Sequence, residues 1–120
     1  MINQEGFTLK HTGRHTGAFL LLFLAKDPTY GGDLLQRCEQ ELPFNPIDSA
    51  ILYRTLKKLE EEGFVTSILT TSPQNKMVKM YQITSSGRAQ LDRFHEDIEQ
   101  KLQNLLYFQT HYAKQVKSDG

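Results

Sequence analysis

A helix, helix, turn, helix order between residues 16 and 62, two β-branched segments at 64–70 and 78–84, and an apolar seam from Leu91 to Tyr112 point to one fold class. They predict a mainly α (α+β) chain: a winged helix-turn-helix with a two-stranded wing and a long C-terminal dimerisation helix. The expected division is a flexible lead-in over 1–15, the winged helix-turn-helix domain over 16–84, the dimerisation helix over 85–113 and a tail over 114–120.

Residues 1–15 are mostly polar and hold Gly6 and Gly13, which suits a lead-in. From Thr16 to Lys26 the chain is apolar on all sides, so a helix covered from several directions is expected. Asp27-Pro28 ends it, because proline disfavours helical geometry in the residue before it. The apolar run Ala18–Ala25 is eight residues, against about 20 needed to cross a bilayer. Lys10 and Arg14 precede it as in a secretion signal, but Lys26-Asp27-Pro28 lacks the small-x-small cleavage pattern. No membrane association is expected.

A second helix follows Gly31-Gly32, with Leu34, Leu35, Cys38 and Leu42 lining one face. Pro43-Phe44-Asn45-Pro46 stops it. Asp48 or Ser49 caps the third helix, whose end falls at Glu62 before Gly63. At 100° per residue Leu52, Thr55, Leu56 and Leu59 share the inner side. Ala50, Arg54, Lys57 and Glu61 fall opposite, with Tyr53 and Lys58 on the flanks.

Phe64–Thr70 and Val78–Thr84 read as strands of a hairpin with a long tip. Val78, Met80 and Gln82 alternate there against Lys79, Tyr81 and Ile83. After the cap cluster Thr84-Ser85-Ser86, apolar residues recur at Leu91, Phe94, Ile98, Leu102, Leu105, Phe108 and Tyr112, close to a coiled-coil seam. A helix to Tyr112 is roughly 42 Å long, and a globule of this chain length is about 35 Å across. The seam from Ile98 outward should therefore lack cover in its own chain, and a second copy is the simplest cover. Phe19 and Phe23 of the first helix join Leu91, Phe94, Ile98, Leu102, Leu105, Phe108 and Tyr112 as candidate dimer residues.

With 120 residues, 38% hydrophobic and 23% charged, the chain suits one compact domain, not a disordered or disulfide-held one. Its one cysteine, Cys38, suits a reducing cytoplasm. Fourteen Lys and Arg cancel fourteen Asp and Glu, so a nucleic-acid partner must be argued from where the charges sit. In a winged helix-turn-helix the third helix (about 49–62) enters a major groove and the hairpin (64–83) is the wing along nearby phosphates. Ala50 is small where base edges come close, while Arg54 and Lys57 can reach guanine acceptors or phosphates. Ser49 and Tyr53 can donate to phosphate oxygens, and Lys58, Lys76 and Lys79 complete the candidate DNA-binding set. Solvated lysines and a packing role for Tyr53 are the plain alternatives.

Ser49-Ala50-Ile51-Leu52-Tyr53-Arg54-Thr55-Leu56-Lys57-Lys58-Leu59-Glu60-Glu61-Glu62-Gly63-Phe64-Val65 resembles the recognition-helix signature of PadR-like transcriptional regulators, G-T-L-Y-P-L-L-x-x-L-E-x-E-G-L-V. Lys79–Arg88 is similar to that family's R-K-Y-Y-x-L-T-x-x-G, and Asp27–Leu34 to its G-P-x-H-G-Y-E-I. The resemblance spans about residues 16–112 and implies a homodimeric regulator, usually a repressor, that reads a pseudo-palindromic duplex. It departs at Arg54, where the family has proline, and at the wing tip, where Pro73–Val78 replaces an arginine-bearing stretch. Residues 31–83 hold six Lys and Arg against seven Asp and Glu, a net of −1, so DNA contacts should be few. Some relatives hold an aromatic effector between protomers. The aromatics here could serve that, or a partner protein could take the same role, or they are packing alone.

A different class stays open: a winged-helix protein-interaction module without DNA-binding activity. His11 and His15 stand four apart, but Gly13 lies between them and no further ligand is suitably spaced. No metal and no cofactor is expected. No phosphate-cradling glycine loop, nucleophile elbow or metalloprotease motif occurs, so enzyme activity is not expected.

Overall fold

The computed structural model describes residues 15–119, with side chains through residue 117. The expected lead-in and the His11 pairing lie outside the described residues, apart from His15. The elements run α1 (Thr16–Lys26), β1 (Thr29–Tyr30), α2 (Gly31–Glu41), α3 (Ser49–Glu61), β2 (Val65–Thr71), β3 (Met77–Ile83) and α4 (Ser85–Asp119).

The core forms where α1, α2 and α3 meet the root of the sheet. Leu20, Leu21, Leu24, Leu34, Cys38, Leu52, Leu56 and Val65 are almost fully buried there, with Ile47 from the turn before α3. Their spacing on each helix supplies the apolar stripe that makes burial possible. α1 is covered on most sides as expected, but Leu22 is left exposed. Phe94 of α4 packs against α1 beside Gly17, where a Cβ would make ordinary contact with the ring at 3.4 Å.

The sheet is antiparallel in the order β1-β3-β2. β1 is an addition to the expected two-stranded wing: Thr29 pairs with Tyr81 and Tyr30 with Met80. Two residues give no periodicity for a sequence reading to detect. The hairpin register sets Val65 opposite Ile83, Ser67 opposite Tyr81 and Leu69 opposite Lys79. Val65, Tyr81 and Ile83 are buried, so this is the face turned to the core.

α4 also departs from expectation. It runs to Asp119, beyond the end expected near Tyr112, and absorbs most of the expected tail. Its start is fixed at Thr84, whose hydroxyl accepts from the Gly87 amide at 3.0 Å and lies 2.7 Å from the Gly63 carbonyl. That hydroxyl ties the first turn of α4 to the end of α3.

Candidate nucleic-acid interface

The turn before α3 is built by side chains. Asn45 accepts from the Ile47 amide at 2.9 Å and donates back to the Ile47 carbonyl at 3.2 Å, closing a local turn around Pro46. Ile47 is buried as a plug. Asp48 then caps α3 by accepting from the Ile51 amide at 2.9 Å, which settles the choice between Asp48 and Ser49. Gly63, at φ 82°, closes the far end in the left-handed conformation that glycine tolerates.

With Leu52, Leu56 and Leu59 buried, the helix period turns Ser49, Ala50, Tyr53, Arg54, Lys57 and Glu61 outward, and all six are exposed. Among the described residues neither Arg54 nor Lys57 has an ion-pair partner. Lys58 is half-buried and engaged with a neighbour. Tyr53 is both packed and accessible. It is 49% exposed, yet its ring lies against Gly31 at the start of α2.

Between α3 and the wing lies an open cleft of about 490 Å³, lined by Tyr53, Lys57, Glu60, Glu61, Lys79 and Tyr81. Lys79 is not a free cation in it. Its Nζ bonds the Glu60 carboxylate at 3.1 Å and lies 5.5 Å from the Tyr81 ring centroid. The other Glu60 oxygen accepts from the Ser67 hydroxyl at 2.7 Å. The Ser67 hydrogen bond, and then Lys79, hold the Glu60 carboxyl below its ordinary range. Glu60 in turn raises Lys79, while burial pushes the Tyr81 phenol up. Glu60 and Ser67 were not among the sequence-derived candidates, because neither the sign of Glu60 nor its distance in sequence from Lys79 signals a contact.

The wing tip is ordered around Ser72. Its buried hydroxyl accepts from the Gln74 and Lys76 amides, each at 3.2 Å, with Asn75 left-handed at φ 64°. Lys76 stands exposed at the tip. Below it Leu69 and Met77 are exposed on one face of the hairpin and Ile68 on the other, where a strongly basic wing would carry arginines.

The candidate dimer residues separate into two groups. Phe23 and Phe94 are buried in the core of this chain, and Phe19, Leu91 and Ile98 pack half-buried against it. The expectation that Ile98 lacks cover in its own chain is therefore corrected: α4 stays docked for one turn more. Leu102, Leu105, Phe108 and Tyr112 are exposed, and Leu106, Tyr107 and Val116 join them. Cys38 is fully buried, and burial raises its thiol pKa, which disfavours the reactive thiolate.

The family model described as "Transcriptional regulator PadR-like family" matches residues 20–93. A comparison with curated proteins finds no match. Among solved structures, Bacillus subtilis PadR in complex with operator DNA is 31% identical with a TM-score of 0.62; the match covers 69% of this chain and 48% of that one. A PadR family transcription regulator from Clostridium difficile is 19% identical with a TM-score of 0.65, over 77% of this chain and 97% of that one. A PadR-like transcriptional regulator from Bacillus cereus is 24% identical with a TM-score of 0.63, over 78% and 92%.

Proposed function

This chain belongs to the transcriptional regulator PadR-like family, and on that footing we propose that it is a cytoplasmic homodimer that binds double-stranded DNA and represses a nearby promoter. The observation that carries the reading is the outward face of α3, with Ser49, Ala50, Tyr53, Arg54 and Lys57 exposed on a helix anchored by Leu52, Leu56 and Leu59. The similarity to a PadR bound to operator DNA supports it. Ala50 leaves room for base edges, Arg54 reaches guanine or phosphate, and Ser49, Tyr53 and Lys57 serve the backbone. Lys58, Lys76 and Lys79 are secondary contacts.

Two copies of α3 set about 34–36 Å apart would read successive major grooves of a pseudo-palindrome. A small aromatic effector or a partner protein that favours another separation would release the duplex.

Fluorescence anisotropy with duplex from the chain's own upstream region tests this. The double variant Arg54→Glu, Lys57→Glu should bind at least about tenfold more weakly, and its salt dependence should fall by about 1.8 in log–log slope for two lost phosphate contacts. Binding equal to the parent at every salt concentration removes the groove assignment. The exposed Leu69 and Met77, which share one face of the hairpin, favour one other reading, a protein-interaction module that docks a partner on the wing. A flat titration at low salt from a folded dimer would select it.

A further inference from the structure

We propose that Glu60 is an internal competitor for the DNA backbone: its carboxylate holds Lys79, and full duplex engagement requires Lys79 to be handed from Glu60 to a phosphate. The inference rests on the DNA-binding reading and deepens it by naming a residue that sets affinity from inside the protein.

The cleft between α3 and the wing is where a backbone would pass, because these two elements straddle it in a winged helix. Its lining holds Lys57 and Lys79 against Glu60 and Glu61, so it is neutral as built. Lys79 points into it from β3, 3.1 Å from Glu60, with about half of its side chain still open to solvent. A phosphate can therefore reach the same ammonium, where it competes with the carboxylate for a single positive charge.

Glu60 does not swing aside freely. Ser67 holds its second oxygen at 2.7 Å, pinning the carboxylate between α3 and β2. An arriving phosphate thus meets a fixed like charge, and the Lys79 contact it gains is offset by the ion pair it breaks. The result is a wing whose Lys79 adds little net affinity while Glu60 is present.

The test uses the full chain and a mixed-sequence duplex of about 30 base pairs, because phosphate contacts are independent of sequence. Glu60→Gln, which keeps an acceptor for Ser67, and Glu60→Ala are compared with the parent between 50 and 200 mM salt. Both should bind more tightly at low salt. Their log–log salt dependence should steepen by about 0.9, so the gain shrinks about 3.5-fold across that range. Adding Lys79→Met should abolish the steepening, leaving at most the smaller gain from removing a like charge. Thermal melting by circular dichroism establishes that each variant is folded.

An unchanged slope, weaker binding, or a steepening that persists with Lys79→Met overturns the inference while the parent still binds. If the parent binds no duplex at all, the DNA-binding reading fails and the inference goes with it.

Discussion

Gly31 and Gly87 are both buried, yet the neighbours pressing on them differ in what they can yield. A Cβ at Gly31 would stand 2.7 Å from Cζ and Oη of Tyr53, the far end of a half-exposed side chain. At Gly87 it would meet the Phe64 carbonyl, which is backbone fixed by its bond to the Thr84 amide. Gly87→Ala should therefore cost about 1–3 kcal/mol, the usual range for overpacking a site that cannot relax. Gly31→Ala should cost less than about 1 kcal/mol, because the Tyr53 ring can move outward. It should nonetheless weaken duplex binding, since Tyr53 leaves the place from which it would donate to a phosphate. Thermal melting and anisotropy on the same two variants separate the effects; equal stability losses would contradict the distinction.

Among the elements, the wing depends most on contacts that link it to α3. Glu60 has its pKa lowered in the folded chain, by Ser67 first and then Lys79. Its contribution is present above the unfolded carboxylate pKa and is lost as pH falls through the folded value. Lys79 is raised, so its contribution is present below the unfolded lysine pKa and is lost as pH rises through the folded one. The Tm difference between the parent and Glu60→Gln should then be widest between the carboxylate and lysine ranges and close at both ends. A difference that does not vary with pH would detach the ion pair from stability. This clamp also marks where sequence reading stops. α2 and α3 were legible because Leu34, Cys38, Leu52, Leu56 and Leu59 repeat at helical spacing between proline and glycine stops, and α1 because its apolar run ends at Asp27-Pro28. The outward placement of Arg54 and Lys57 followed from the same period. β1 was not legible, because Thr29-Tyr30 becomes a strand only by pairing with β3. The hold of Glu60 on Lys79 was equally hidden, since it spans nineteen positions and exists only after the hairpin folds back. α4 outlasted its expected end because Ala113, Lys114 and Gln115 are good helix formers and Val116 continues the seam one turn past Tyr112.

At the scale of the whole molecule, shape argues for pairing. The described chain extends 60 × 36 × 23 Å with a radius of gyration of 17.2 Å, against about 12.9 Å for a globule of its length. The excess belongs to α4, whose 35 residues make a rod of about 52 Å. Every described side chain from residue 101 onward is exposed, the apolar Leu102, Leu105, Phe108, Tyr112 and Val116 included. An isolated helix carrying such a seam gains little from propensity alone, and a partner that buries the seam supplies what is missing. Because Phe94 is buried and Leu91 and Ile98 pack against the same core, the first half of α4 should stay docked when the second half is altered. The double variant Leu105→Glu, Phe108→Glu should therefore keep a folded protomer by circular dichroism while light scattering reports the mass of one chain instead of two. Its affinity for a two-site duplex should fall by roughly a hundredfold or more, as the second half-site is no longer tethered to the first. A variant that retains the paired mass would place the interface elsewhere, with the exposed Leu22 and half-buried Phe19 of α1 as the next surface to alter. A variant that is monomeric yet binds the duplex as tightly as the parent would separate pairing from DNA recognition, and the two-groove geometry would fall with it.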